Sequence, residues 1–415
     1  MERFTGLIGI ALILGLAFAL SNNRRAINYR LVGTGLALQL SLAVFILKTT
    51  VGQRIFQFLG AAITKILDFS KEGAAFVFGP MVNGPVLSKA FGAANTFIFF
   101  FSIIPTIIFV AVLVSMAYHL GIMQRVVAVV ARGVHWLMGV SGAEAVSNVA
   151  STFVGQVEAQ IMIKPYLPGM TMSELLASMT GSMACIAGGV LAVYIALGVP
   201  APYLLAASLM AAPGALVISK IVYPETEVSE TQGTVKLEVK KQDANLVDAI
   251  SHGASDGLKV GFNVVAMLIG FIALIALINY LLGKLGLLIG LPQLSLKFIL
   301  GYLFAGFAWA MGVPGKDITT VGGLMGTKMV LNEFVAYLDL TALQKGAHAL
   351  SPKALLISSF ALCGFANFSS IAIQVGGIGE LAPSRRSDLA KLGFKALICG
   401  TLASYLSATL AGLLL

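Results

Sequence analysis

Ser147-Asn-Val-Ala-Ser-Thr-Phe-Val-Gly-Gln-Val-Glu-Ala-Gln-Ile-Met-Ile-Lys-Pro165 is a polar stretch set among long apolar runs. It carries Ser151, Thr152, Gln156, Glu158 and Gln160. A carboxylate in a bilayer is costly unless it faces a cavity, water or a partner. Gly155 permits a backbone break beside Gln156. Irregular backbone at membrane depth is tolerated only where it lines a cavity or is buried in protein. The stretch therefore predicts a re-entrant hairpin that carries half of a polar binding site.

The chain around it supports a membrane setting. Of its 415 residues 58% are hydrophobic and 11% charged, against about 25% charged in soluble domains. The runs do not alternate as barrel strands would, so the expected class is an all-α integral membrane protein. The 45 glycines suit close helix packing and broken helices. The net charge of +9 lies mostly in short connecting loops, where it reads as topology signal and contact with anionic lipid. No basic, aromatic-interleaved soluble segment supports a nucleic-acid partner. Cys185, Cys363 and Cys399 sit in apolar runs as structural thiols. His119, His135, His252 and His348 form no pair at metal-ligand spacing. Thr5–Leu20, with Glu2 ahead of it and no small-residue cleavage site behind, reads as a first membrane helix rather than a signal peptide.

Bilayer-length runs follow at Leu31–Leu47, Thr96–Ala117, Leu175–Leu197, Tyr203–Val222, Val260–Leu282, Ala354–Val375 and Leu389–Leu415. Val51–Phe78 places Arg54, Gln57, Lys65 and Asp68 at helical spacing among apolar positions, the pattern of an interfacial helix. Ile122–Met138 and Leu246–Leu258 are shorter and amphipathic. Tyr223–Asn245 is a sizeable hydrophilic loop with Lys236, Lys240 and Lys241, and it divides the chain into two halves. Val321–Tyr337 repeats the opening theme, with Lys328, Asn332 and Glu333 in apolar surroundings, and Gly364–Asn367 interrupts a later run.

The halves resemble each other. Met138-Gly-Val140 recurs as Met311-Gly-Val313, with Glu158 20 residues beyond Met138 and Glu333 22 beyond Met311. Interrupted segments at matching positions point to transporter repeats with a midplane site. The expected division is 1–92 N-terminal and interfacial helices, 93–222 the first repeat, 223–257 a polar loop with an interfacial helix, and 258–415 the second repeat. Arg24, Arg25 and Arg30, then Lys236–Lys241 and Arg385-Arg386, favour cytoplasmic placement and put both termini outside. Arg54, Lys65 and Lys71 run against that count.

Gln156 with Glu158, Asn332 with Glu333, and Asn367 with Ser369 and Ser370 can converge at the midplane. Carboxylates and amides without arginine suit a neutral solute bearing hydroxyls or a heterocycle. Phe365 and Phe368 offer an aromatic face. Intramembrane amides also serve as plain interhelical bonds. Lys328 lies at i and i+5 from Glu333, within reach of a pair, Lys164 reads as snorkelling to the interface, and Glu144 and Asp256 read as helix caps. Coupling could run through protonation of a glutamate withdrawn from water or through sodium on unwound carbonyls.

Gly155-Gln-Val-Glu158, Asn332-Glu-Phe-Val-Ala-Tyr337 and Gly364-Phe-Ala-Asn-Phe-Ser-Ser370 resemble three signatures of concentrative nucleoside transporters of bacterial type. The resemblance covers nearly the whole chain. It implies eight transmembrane helices, two re-entrant hairpins, interfacial helices, inverted repeats, a homotrimer and an elevator-like movement in the bacterial inner membrane. By motif, Gln156, Val157 and Glu158 would meet the nucleobase, and Val190 and Phe365 would pack on it. Glu333, Asn367 and Ser370 would hold the ribose. Coupling-ion candidates are Ser151, Val154, Cys185, Ile186, Glu158 and Glu333, and no other cofactor is implied. Sodium-coupled members usually read Asn-Ile-Phe-Val-Gly-Gln-Thr-Glu. Here Ser151 replaces the Asn, Val157 the Thr, and Cys185 a sodium-holding Ser. Thiol sulfur suits a hard cation poorly, which favours proton over sodium coupling, with a sodium-coupled symporter the alternative. A channel would show rings of like side chains, an intramembrane enzyme a nucleophile with its base, and neither pattern is present. A non-transport receptor would leave Glu158 and Glu333 unexplained.

Overall fold

The computed structural model describes residues 5–92, 98–233, 243–346 and 349–415. Glu2, Thr96, Lys236, Lys240, Lys241 and His348 lie outside the described residues. Within them the fold is all helical, with no strand.

α1 (Thr5–Ala19) and α2 (Tyr29–Lys48) are joined by a short turn at Arg24–Ala26. Arg24 donates to Phe18 O at 3.2 Å and Ala19 O at 3.0 Å, filling carbonyls left open at the end of α1. α3 (Thr50–Phe78) is amphipathic, as its charge spacing predicts, and α4 (Gly84–Phe91) follows. α5 (Phe99–His119) is the next long apolar helix, and α6 (Ile122–Met138) carries the short amphipathic segment.

The opening stretch is a broken hairpin. α7 (Gly142–Ala150) ends before Ser151, and turns lead to the one-turn α8 (Glu158–Ile161). α9 (Met172–Ala184) and α10 (Gly188–Leu197) come next, then α11 (Ala201–Val222). The second half holds α12 (Leu246–Leu288), α13 (Leu296–Ala310), α14 (Ile318–Val330), α15 (Glu333–Lys345), α16 (Pro352–Leu362), α17 (Phe368–Leu381) and α18 (Arg386–Leu413). α14–α15 and α16–α17 repeat the broken pairs α7–α8 and α9–α10.

Among the described residues six helical segments are long and apolar enough to cross a membrane: α2, α5, α9 with α10, α11, α12, and α18 with the turn before it. α1, α13 and α16 are shorter apolar helices. The chain is a multi-pass membrane protein. Of the apolar windows of α11 and α18, 89% is buried inside the protein, whereas only 6% of α12's is. α11 and α18 therefore form the inner post against which α9, α16 and α17 pack. α12 packs along α5 and leaves an apolar face outward.

Leu175–Leu197 lies within one membrane-length segment, as expected, but that segment is broken at Cys185–Ala187, between α9 and α10. One expectation needs correction. Leu246–Leu258 and Val260–Leu282 are not separate: α12 runs through both, so the division at 257/258 falls inside a helix. Its small residues Gly253, Gly257 and Gly261 face α5, where any β-carbon would meet α5 atoms, so continuous packing holds the helix together. Asp256 is accordingly mid-helix, beside Lys259 and His252, and the cap is Asn245.

Hydrogen bonds tie several loops to neighbouring elements. Asn22 N donates to Val222 O at 3.1 Å. Arg385 donates to Pro168 O at 3.0 Å and Met170 O at 2.5 Å. Glu144 completes a capping box with Ser141, as its position near a helix start suggested. It also pairs with buried Lys220, which reaches Glu225 at 3.4 Å.

Candidate functional site

Four helix breaks converge. Gly188 N, opening α10, donates to Phe153 O of the first hairpin at 3.0 Å. Phe365 N, in the break between α16 and α17, donates to Cys185 O in the break between α9 and α10, at 3.3 Å. Gly364 makes that approach possible: its φ is +126°, and a β-carbon there would lie 2.5 Å from Ala184 O. The unwound segments thus satisfy one another's backbone groups, as buried irregular chain must.

Glu333 is the first residue of α15 and is buried. That position favours a carboxylate, because free N–H groups and the helix dipole face it. Its Oε1 accepts from the Tyr194 hydroxyl at 3.0 Å and its Oε2 from Asn367 Nδ2 at 3.1 Å. Tyr194 is clamped between Phe334 and Tyr337, with ring centroids 5.6 and 4.4 Å away. Asn367 caps α17: its Oδ1 accepts from Ser370 N at 3.0 Å and from the Ser369 hydroxyl at 2.6 Å. Asn332 occupies the matching cap of α15, accepting from Val335 N at 2.9 Å. Its oxygen is spent on the helix end, so it serves the site by placing Glu333.

On the hairpin side Gln156, Val157 and Glu158 are partly or well exposed, and Glu158's carboxylate folds back over Gly155. Val157 packs towards Gly377 of α17, where a β-carbon would meet its Cγ2 at 2.6 Å. Gln156 Oε1 accepts from Gln374 Nε2 at 3.3 Å. Val190 and Phe365 are half-buried, Asn367 and Ser370 are buried, and Phe368 is exposed.

The Lys328–Glu333 pair that the i, i+5 spacing left open does not form among the described residues. Lys328 is buried, and its Nζ donates to Ala361 O at 2.8 Å. Lys164 is exposed, as a snorkelling side chain would be.

The candidate ion residues lie in a denser net. Ser151 donates to Ser147 O at 2.7 Å and lies 3.0 Å from Ser182 Oγ. Gln160 Nε2 donates to the same Ser182 oxygen at 2.8 Å. Cys185 Sγ is 3.7 Å from Thr152 Oγ1, and Val154, Cys185 and Ile186 are buried. Tyr194, Gln374, Gln160 and Ser182 went unnoticed or unassigned in the sequence. Gln374 had a usable signal, since Asn367, Ser370 and Gln374 recur at i, i+3 and i+7 on one helical face.

What such a site can do is hold a neutral polar solute between two broken helix pairs by amides, a carboxylate and aromatic faces; comparisons with known proteins bear on which. Residues 203–412 match the family described as "Na+ dependent nucleoside transporter C-terminus". Residues 8–81 match its N-terminal counterpart, and residues 100–201 match the family "Nucleoside recognition". The nucleoside permease NupC of Helicobacter pylori is 38% identical over 98% of this chain and 96% of its own. Sodium/nucleoside cotransporter 1 of Mus musculus is 40% identical, with this chain spanning 64% of its length. The structure of CNTnw in an inward-facing substrate-bound state superposes with a TM-score of 0.95 at 40% identity, over 100% of this chain and 98% of that one. These relatives are transporters, not enzymes, and the chain belongs to the concentrative nucleoside transporter family.

Proposed function

We propose that this protein is a secondary active symporter that imports nucleosides across the bacterial inner membrane, driven by a cation gradient. The observation that carries the reading is the Tyr194–Glu333–Asn367 chain at two facing helix starts. A carboxylate aimed into unwound backbone accepts from ribose hydroxyls, and an amide beside it both donates and accepts. Gln156 and Glu158, with Val157 nearby, face the nucleobase, and Val190 and Phe365 cover its ring. Ser370 completes the ribose end.

Ion coupling rests on the first hairpin. The side chains at Ser151, Val154, Cys185 and Ile186 offer one hydroxyl and one thiol. The hydroxyl donates its hydrogen to Ser147 O and so accepts in its contact with Ser182 Oγ at 3.0 Å. Sodium prefers hard oxygen donors, so this set supports protons, with Glu158 or Glu333 as carrier. Sodium is the second reading, favoured by the family description and the name of the mouse relative. In either case the hairpin-bearing core would travel as an elevator against a scaffold containing α5 and α12. Self-association as a homotrimer is part of this proposal and follows from the family resemblance.

Uptake of labelled uridine into proteoliposomes tests the site. Glu333→Gln and Asn367→Ala are each expected to abolish it, and wild-type uptake by both would sink the assignment. Uptake driven by a pH gradient, compared with a sodium gradient, tests the coupling. A strict sodium requirement overturns the proton reading.

A further inference from the structure

Gln374 is fully buried on α17 and has no role assigned above at the base or the ribose, yet it touches Gln156 of the base-facing hairpin. Its Nε2 carries two hydrogens. One goes to Met179 O at 3.2 Å, the other to Gln156 Oε1 at 3.3 Å. Met179 O is a main-chain carbonyl and can only accept, so the amide of Gln374 has one permitted orientation: turned over, two oxygens would face each other. Gln156 must then turn its own oxygen towards α17. The Nε2 of Gln156, with both hydrogens, is what remains for a ligand.

Gln374 Oε1 is buried without a hydrogen-bond partner. Such an atom costs about 1–3 kcal/mol relative to a satisfied one. An apolar residue of the same size would avoid that cost and fill the same space. The amide is therefore not explained by packing, and its donor end is the end in use.

We propose that Gln374 is a specificity-setting positioning residue: it fixes the polarity of Gln156, so that the nucleobase is read through a hydrogen-bond acceptor on its edge. The proposal rests on the nucleoside reading above. It assigns the donor role to Gln156 and leaves base N–H groups to the carboxylate of Glu158, which only accepts. Base edges that present a carbonyl or ring nitrogen to Gln156 fit, and edges that present an amino group there do not.

The test is uridine uptake kinetics in proteoliposomes for Gln374→Leu and for the isosteric Gln374→Glu, each made in the wild-type and in a Gln156→Ala background. Loss of one ordering hydrogen bond predicts a KM for uridine raised about two- to tenfold in the wild-type background. In the Gln156→Ala background the same substitution should add nothing, because the residue acts only through Gln156. Uridine analogues each lacking one acceptor supply a second readout: the KM penalty for the acceptor that Gln156 reads should shrink in Gln374→Glu. A purely structural residue would raise KM equally in both backgrounds and leave the analogue penalties unchanged, and that result overturns the proposal. An unchanged uridine KM in the wild-type background overturns it too. If Gln374→Leu does not reach the membrane, Gln374→Glu is judged by the same criteria. Failure of the wild type to take up any nucleoside removes the reading beneath, and is recognised before any variant is compared.

Discussion

Replacing Gly364 by alanine should separate the two unwound segments on which the site is built. The residue has φ +126°, and its new β-carbon would lie 2.5 Å from Ala184 O and 2.8 Å from Met183 O. Real β-carbon contacts essentially never fall below 3.0 Å. Both neighbours are main chain and cannot swing aside, so the breaks must part by about half an ångström or more. The left-sided backbone costs a residue with a β-carbon about 1–2 kcal/mol, and overpacking adds about 1–3 kcal/mol. The expected destabilisation is thus about 2–5 kcal/mol. The Phe365 N to Cys185 O bond, 3.3 Å long already, would stretch or break. Asn367 follows two residues later, and Glu333 moves with it through their hydrogen bond. Misplacement on the order of 1 Å can cost about 100-fold in rate. Nucleoside uptake in proteoliposomes should fall by that order, and the purified protein should melt earlier. Gly73→Ala in α3 is the control, because nothing lies within 4 Å of its β-carbon position and its backbone is helical. It should transport normally and melt no earlier, since alanine is favoured over glycine in a helix by about 1 kcal/mol. Gly364→Ala with uptake within twofold of wild type and an unchanged melting point would refute the packed-break account.

Tyr194→Phe keeps the ring packing on Phe334 and Tyr337 but removes the donor to Glu333. Hydrogen bonds to charged groups are worth about 1.5–3 kcal/mol. Nucleoside KM should rise about tenfold or more, and equal kinetics would show that the hydroxyl does not hold the carboxylate in place. Lys220→Met leaves Glu144 buried without its cation, a change worth about 3–5 kcal/mol. Melting should drop accordingly and recover largely in Lys220→Met with Glu144→Gln, whereas additive losses would show that the pair is not the cause. Ser151→Asn with Cys185→Ser exchanges the hydroxyl at 151 for a longer amide oxygen and the thiol at 185 for a hydroxyl. The double variant should gain sodium-stimulated uptake, and unchanged ion dependence would remove these residues from the coupling argument.

Much of this architecture was legible because membrane burial makes polar residues informative. Glu158, Glu333 and Asn367 stood out against apolar runs, and the structure places all of them at helix breaks. Gly155 and Gly364 marked two breaks directly. The break at Cys185–Ala187 was hidden, since its residues are apolar and the window remains hydrophobic across it. Only the following glycine pair hinted at it. Hydropathy reports transfer from water, not helical continuity, so it fused α9 and α10 and, for the opposite reason, split α12 at Asp256 and Lys259. These charges need not break a helix, because they pair with each other along one face at 3.1 Å. Tyr194 was invisible for a different reason. A tyrosine in an apolar run looks like packing, and only the fold brings its hydroxyl to Glu333, 139 positions away.

The helix breaks explain why the site sits where it does. A lone broken helix in a bilayer leaves unsatisfied backbone groups on both sides of the break. Several breaks brought together can pair these groups, within the first half as Gly188 with Phe153 and between the halves as Phe365 with Cys185. The asparagines make the same economy at side-chain level: Asn332 and Asn367 cap α15 and α17 at corresponding places. Asn332 spends only its oxygen that way, whereas Asn367 also turns its amide to Glu333. The first half has no matching cap asparagine, and Glu158 opens a helix of a single turn. The halves are thus unequal in rigidity: the second holds its carboxylate between two donors, while the first leaves Glu158 exposed and steadies Gln156 from outside, through Gln374. Under the proposed assignment of Glu333 to the ribose and Gln156 to the base, the rigid half would grip the sugar common to nucleosides and the other would sort the differing bases.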